Sequence, residues 1–112
     1  MLLFSSLGMV VGNITFIVIS KRLVKWYYLL GIITSVLNHG NANTHLFIYL
    51  DRSVMAVGAV MDIFYMDTIY KWILWSLAIK CYFISKLTGN KYFHVGAHFF
   101  VTILHNLILS NN

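Results

Sequence analysis

Three histidines, one aspartate and one serine in this sequence have the types and spacing that metal-assisted hydrolysis needs. Ser35 and His39 are four residues apart, as are His94 and His98, and Asp51 lies between the two pairs. Residues four apart share one face of a helix, so two imidazoles at this spacing can reach one zinc ion. A third imidazole from another helix would complete a three-histidine set with an open fourth position, which is typical of catalytic zinc.

The chemistry of such a centre assigns candidate roles to these residues. Zinc lowers the pKa of a bound water to about 7, which makes that water the predicted nucleophile at neutral pH. Asp51 is a candidate to orient a metal ligand or to accept a proton from the water. Ser35 is a candidate to bind the water or a developing oxyanion.

Each of these residues also has a simpler interpretation. His94 and His98 would serve equally as interfacial side chains that bond carbonyl groups or water. Asp51 could pair with Arg52 as exposed charges at a helix start, where an acidic residue suits the helix dipole. Ser35 could donate to the carbonyl four residues earlier in its own helix, as serines in membrane helices do.

Two further histidines and two further aspartates are candidates of lower rank. His105 is interpreted mainly as a helix-packing hydrogen-bond partner, with a reserve ligand as the alternative. His45 is predicted to be solvated in a loop, with replacement of His39 as the alternative. Asp62 shares a helix face with Asp51 and is assigned, with Asp67, to the opposite membrane boundary.

The elements that must position these residues are indicated by composition. Hydrophobic residues make up 60% of the 112-residue chain, charged residues 10%, and the mean hydropathy is +0.79. Soluble domains carry about a quarter charged residues, and a chain of this size cannot bury so much apolar surface by folding alone. We therefore predict an all-α integral membrane helical bundle, with residues 1–112 as a single transmembrane domain.

Charge and cysteine content exclude other classes of protein. The net charge is +5, but the basic residues are scattered between apolar runs, so they are interpreted as interfacial anchors and no nucleic-acid partner is expected. The single cysteine, Cys81, excludes an intramolecular disulfide framework and a cysteine-based zinc cluster.

Five apolar runs predict five transmembrane helices, each needing about 20 residues to cross a bilayer. The polar stretch Asn38–His45 is the predicted long loop, and Leu46–Leu50 either extends the third helix or lies along the interface. The first run is expected to stay in the protein as a span, because basic residues follow it rather than precede it. The predicted spans are Leu2–Ser20, Leu23–Leu37, Asp51–Met66, Ile69–Ser85 and Tyr92–Leu109.

Five crossings bring the candidate residues to one face of the membrane. His39 ends the second span, Asp51 opens the third, and His94 and His98 open the last. Ionisable groups at such depth are costly and usually mark functional sites. The basic residues do not favour one orientation, and the sequence does not distinguish an endomembrane from the plasma membrane.

These segments together resemble a known superfamily of membrane hydrolases. Ser35-Val-Leu-Asn-His39, Leu50-Asp51 and His94-Val-Gly-Ala-His98 are similar to the conserved motifs of the alkaline ceramidases and of the progestin and adipoQ receptors. The resemblance implies that His39, His94 and His98 bind zinc, with Ser35 and Asp51 beside the zinc-bound water. It also implies a multi-pass membrane enzyme that hydrolyses a lipid amide or ester, with a lipid such as ceramide as substrate.

The sequence departs from the family pattern in length. Family members have seven spans against the five predicted here, and the acidic N-terminal segment that binds calcium in the ceramidases is not evident. A homo-oligomer, in which a second copy replaces the two spans, is an open alternative. So are two non-catalytic functions: a small structural or pore-forming membrane protein, and an electron carrier whose histidines hold a haem.

Overall fold

Five α-helices account for most of the structure. The computed structural model describes residues 2–40 and 45–110, and this part of the chain contains no β-strand. The prediction of an all-α fold is confirmed. The helices are α1 (Leu2–Ile19), α2 (Val24–Gly40), α3 (His45–Ile63), α4 (Ile69–Thr88) and α5 (Lys91–Ser110).

The helices around the predicted loop are longer than the apolar runs that predicted them. α2 continues to Gly40, and α3 already begins at His45, so Leu46–Leu50 belongs to the third helix. The extension of α2 is stabilised by Asn38, whose side chain donates a hydrogen bond to Asp51 on α3. The remainder of the predicted loop, residues 41–44, lies outside the described residues.

A tight turn joins α4 to α5 and fixes where the last helix begins. Gly89 adopts a left-handed conformation with φ 71°, which glycine tolerates best, and its N–H donates to Ser85 O at 2.9 Å. The side chain of Asn90 then accepts a hydrogen bond from Tyr92 N at 3.0 Å and starts α5. This start places His94 in the first turn of α5, facing α2.

Neighbouring helices pack in the order α3, α2, α1, α5 and α4, with α3 and α4 at the two ends of the series. Trp75 on α4 reaches α3, where its indole N–H donates to Ala59 O at 3.0 Å. The hydrogen bond between Trp75 and Ala59 therefore brings the two ends of the series together, and the helices form a ring.

Reciprocal amide hydrogen bonds fasten α5 to α1. Asn13 is almost fully buried and donates to Asn106 Oδ1 at 2.5 Å and to Thr102 O at 3.1 Å. Asn106 in turn donates to Gly12 O at 2.8 Å. A Cβ atom at Gly12 would lie 2.6 Å from the Thr102 methyl group, so a glycine is required where the two helices meet.

The distribution of polarity differs from that in most soluble domains. Many large apolar side chains lie on the outer surface, among them Phe64 and Leu87, which are 84% and 85% exposed. The interior combines apolar side chains, of which Leu104, Ile108 and Leu109 are the most buried, with a set of polar and ionisable ones. The buried polar and ionisable ones are Ser6, Asn13, Ser20, Thr34, Ser35, Asp51, Asp62, Lys71 and His98.

In the part of the chain that the structure describes, one helix is both long enough and apolar enough by composition to cross a bilayer. This helix is α5, Lys91–Ser110, and a third of its most apolar stretch is buried inside the bundle. In α1, the apolar segment Leu3–Ile19 is slightly shorter than a full span. The multi-pass arrangement of all five helices stays a prediction.

Candidate metal centre

The structure brings the three predicted ligand histidines together. One ring nitrogen of each of His39, His94 and His98 lies within 4.8 Å of the other two. Their ring centroids are 4.7 to 5.3 Å apart, with the rings inclined steeply to one another. His39 belongs to the last turn of α2, whereas His94 and His98 occupy successive turns of α5. The predicted convergence of the three residues is confirmed.

Three ring nitrogens of this cluster lack a hydrogen-bond partner among the described residues. The Nε2 atoms of His39, His94 and His98 are buried, and none has a hydrogen bond to the described residues. An unsatisfied buried polar atom costs about 1–3 kcal/mol, so native folds rarely retain one without a ligand. One cation among the three nitrogens would satisfy all of them, and three imidazoles are a donor set that zinc accepts.

Ser5 on α1 fixes the orientation of one imidazole. Its Oγ lies 2.7 Å from His98 Nδ1, on the side of the ring opposite to the cluster. When Nε2 of His98 faces a metal, Nδ1 carries the proton, and this N–H donates a hydrogen bond to Ser5 Oγ. Metal-binding histidines generally make such a second hydrogen bond, which fixes the tautomer of the ring. The sequence analysis missed Ser5, whose only signal was a hydroxyl in an apolar first span.

Asp51 lies beside the cluster with one oxygen free. It is 3% exposed, and its Oδ2 accepts a hydrogen bond of 2.9 Å from Asn38 and lies 3.9 Å from His39 Nε2. Its Oδ1 is buried and has no hydrogen-bond partner among the described groups. The alternative of an exposed pair with Arg52 at a helix start is wrong, because α3 begins six residues before this buried carboxylate.

Ser35 lines the interior next to the metal centre. Its Oγ is hydrogen-bonded to Ser6 Oγ on α1 at 2.8 Å, so the hydroxyl joins two helices. Ser35 shares the wall of one cavity with Asp51, His94 and His98. The predicted residues therefore converge from three helices, while their catalytic roles stay a prediction.

The metal centre lies between two recesses. A largely apolar cavity of about 240 Å³ extends from it between α3 and α4, and Ile32, Met55 and Leu104 contribute to its walls. A polar recess of about 350 Å³ reaches His39 and His94 from the other side. Groups in either recess would have access to the ring nitrogens.

A second buried polar cluster lies at the far end of the apolar cavity. Asp62 accepts a hydrogen bond of 2.6 Å from the Tyr28 hydroxyl, and its other oxygen lies 3.0 Å from His105 Nε2. The rings of Tyr28 and His105 are stacked with centroids 3.6 Å apart. The predicted hydrogen-bonding role of His105 is confirmed. The assignment of Asp62 to a membrane boundary stays a prediction, and the structure shows that the residue is 4% exposed and bonded to side chains of two other helices.

His45 does not join the metal centre. It is exposed at the first position of α3, and the cluster of three close ring nitrogens within the described ranges contains His39 in its place. The prediction that His45 is solvated agrees with its exposure, its placement in a loop is wrong because it is the first residue of α3, and the alternative of a substitute ligand is wrong.

Comparison of the chain with known proteins gives no relative. No protein-family model, no curated protein and no solved structure matches it.

Proposed function

We propose that the chain is a zinc-dependent membrane hydrolase that cleaves a lipid amide or ester. The observation that carries the proposal is the convergence of three histidines whose buried Nε2 atoms have no hydrogen bond to the described residues, together with an Asp51 oxygen that likewise has none. The resemblance of the motifs around His39, Asp51 and His94 to those of alkaline ceramidases supports the same chemistry. A ceramide-like lipid is the substrate class that this resemblance suggests.

The exposed apolar surface and the buried ionisable side chains of the bundle support a multi-pass membrane location. Its five helices have 17 to 20 residues, which at 1.5 Å per residue gives about 25 to 30 Å. The hydrocarbon core of a bilayer is about 30 Å thick. Apolar side chains outside and ionisable ones inside suit lipid as the surrounding solvent, because charged groups in membranes face the bundle interior.

The residues of the site have distinct roles in this proposal. His39, His94 and His98 hold the metal, and Ser5 keeps the His98 ring in the binding tautomer. Zinc held by these residues would supply a water of pKa about 7 as nucleophile and would polarise the carbonyl to be cleaved. Asp51 accepts a proton through its free Oδ1 and later donates it to the leaving group.

In this proposal the apolar cavity holds the apolar part of the substrate, and the polar recess holds its polar part. The apolar cavity has room for a hydrocarbon chain, which enters from the bilayer through the space between α3 and α4. Ser35 lies on the wall where this cavity meets the histidines, so its hydroxyl can donate to the oxyanion that develops on the carbonyl.

A haem carrier is disfavoured by the packing of the histidine rings. The rings of His94 and His98 contact each other edge to face, and His39 lies against both. A porphyrin would have to separate two of these rings, and the arrangement leaves no gap for its plane.

The proposal is tested by metal content and turnover of the detergent-purified protein. We expect about one zinc per chain, as in other three-histidine sites, and release of fatty acid from an acyl-amide or acyl-ester lipid. His94→Ala should lose both, whereas His45→Ala, a histidine outside the cluster, should keep both. A zinc content near zero that His94→Ala does not alter would leave a non-catalytic bundle as the better explanation.

A further inference from the structure

Three basic residues from three different helices line the polar recess beside the metal centre. They are Arg52 on α3, Lys86 near the end of α4 and Lys91 at the start of α5. His39 and His94 contribute to the same recess, so the cations and the histidines face one space. Lys91 precedes His94 by three residues and therefore shares its helix face.

Tyr82 lies between the basic residues of the recess and the histidines. Lys86 Nζ lies 5.3 Å from the centre of the Tyr82 ring, and Arg52 lines the same recess as this side chain. Tyr82 also contacts the histidine cluster, because its ring meets the His94 ring edge to face with the ring centroids 5.6 Å apart. Arg52 and Lys86 are close enough to interact electrostatically. Two like charges are thus held close together next to the proposed reaction centre.

The recess carries more positive than negative charge. The whole chain has only three acidic residues. Asp62 is bonded to Tyr28 and His105 at the far end of the apolar cavity, and Asp67 is paired with Lys71. Asp51 is the acidic residue that lines the recess, so three cations against one carboxylate leave an excess of two positive charges.

We propose that this recess binds the phosphate monoester headgroup of the lipid substrate, which makes the substrate an anionic lipid rather than a neutral one. A phosphate monoester carries about −1.5 to −2 at pH 7, which is opposite in sign to the excess side-chain charge of the recess and to the charge of a zinc ion held by His39 and His94. The guanidinium of Arg52 can bind two phosphate oxygens side by side, and the two lysines act as point charges. The proposal rests on the proposed function, because the acyl bond of the bound lipid is the one cleaved.

The test compares matched lipids with and without the phosphate. The protein is reconstituted in nanodiscs of neutral lipid, and binding of a fluorescent ceramide and of its 1-phosphate ester is measured, with inorganic phosphate as competitor. We expect the phosphate ester to bind about tenfold more tightly at low salt, because charge-assisted hydrogen bonds to the headgroup are gained. The preference should diminish as ionic strength rises.

Substitutions identify the residues responsible. Lys86→Gln and Arg52→Gln should each remove most of the preference while zinc content stays unchanged. Lys80→Gln is the matched control, since Lys80 lies on the same helix but does not line the recess. Equal affinity for the two lipids, or a preference that survives both substitutions, would overturn the proposal. Strong binding of inorganic phosphate without preference for the phosphorylated lipid would show a free-anion site and overturn the headgroup assignment.

Binding is measured without turnover, so this test can fail separately from the proposed function. A phosphate preference in a protein that holds no zinc would support the recess and refute the hydrolase. Zinc-dependent cleavage with no phosphate preference would support the hydrolase and refute the recess as a headgroup site.

Discussion

Two buried polar clusters occupy the two ends of one apolar cavity, and they differ in whether their polar atoms have partners. At one end, Nε2 of His98 and Oδ1 of Asp51 have no hydrogen bond to the described residues. At the other end, both oxygens of Asp62 are bonded, one to Tyr28 and one to His105. The same helices, α2, α3 and α5, build both clusters from similar residue types.

The difference distinguishes a binding site from a structural connection. A satisfied cluster joins its helices and needs nothing more, as the stacked rings of Tyr28 and His105 illustrate. An unsatisfied cluster lowers the stability of the fold until a ligand binds. Residue type alone would rank Asp62 and His105 beside Asp51 and His98, whereas hydrogen-bond partners separate the two pairs.

The largest expected effect comes from replacing one histidine of each cluster by alanine, in two separate variants. His98→Ala removes one of three ligands, and we expect zinc affinity to fall roughly 10³-fold, since structural zinc sites owe about 10 kcal/mol or more to all their ligands together. Metal content after dialysis against a weak chelator measures the loss. His105→Ala, two turns along the same helix, should retain zinc. Equal zinc loss in the two variants would mean that the clusters are not functionally distinct.

The aspartates provide the next comparison. Asp51→Asn keeps the shape of the side chain but removes its ability to accept a proton, so we expect turnover to fall about 10²-fold or more. Asp62→Asn should leave turnover per correctly folded molecule within a few-fold of the unsubstituted protein. The measurement is the rate of fatty-acid release normalised to bound zinc. Similar losses in both variants would place Asp51 in a structural role.

The second cluster should control stability rather than zinc. Tyr28→Phe removes the hydroxyl that donates to Asp62 and leaves a buried carboxylate oxygen unpaired, which should cost about 1–3 kcal/mol of unfolding free energy. Thermal unfolding in detergent measures the change, and zinc content should stay constant. Tyr49→Phe is the control, since that side chain is 76% exposed. A Tyr28→Phe protein of unchanged stability would refute the structural role of the cluster.

Much of the metal centre was predictable because short-range spacing and helix order determine it. The spacing of His94 and His98 requires a shared helix face once α5 forms. An antiparallel succession of helices then brings the end of α2 to the start of α5, and with it His39. Neither step needs knowledge of side-chain packing, which explains why the convergence of the three histidines could be predicted.

The supporting residues were not predictable because only tertiary packing gives them their roles. Ser5 looks like one hydroxyl in an apolar segment until α1 packs against α5. Asn38 was placed in a loop, yet its bond to Asp51 belongs to a helix that continues to Gly40. Asp62 looked like a boundary charge because its partners, Tyr28 and His105, are 34 and 43 residues away in sequence.

The smallest expected effect concerns the hydrogen bond between Ser5 and His98, which orients one ring of the candidate metal centre. Ser5→Ala leaves all three histidines in place but removes the oxygen that lies 2.7 Å from His98 Nδ1. The ring then loses its fixed tautomer, and we expect the zinc dissociation constant to rise about tenfold, as for other residues that hold metal ligands. Competition with a fluorescent chelator measures the constant, with Ser53→Ala, an exposed serine on α3, as control. If zinc affinity is the same in both variants, the Ser5 hydroxyl makes a purely structural contact, as the side chains around Asp62 do, and does not contribute to zinc binding.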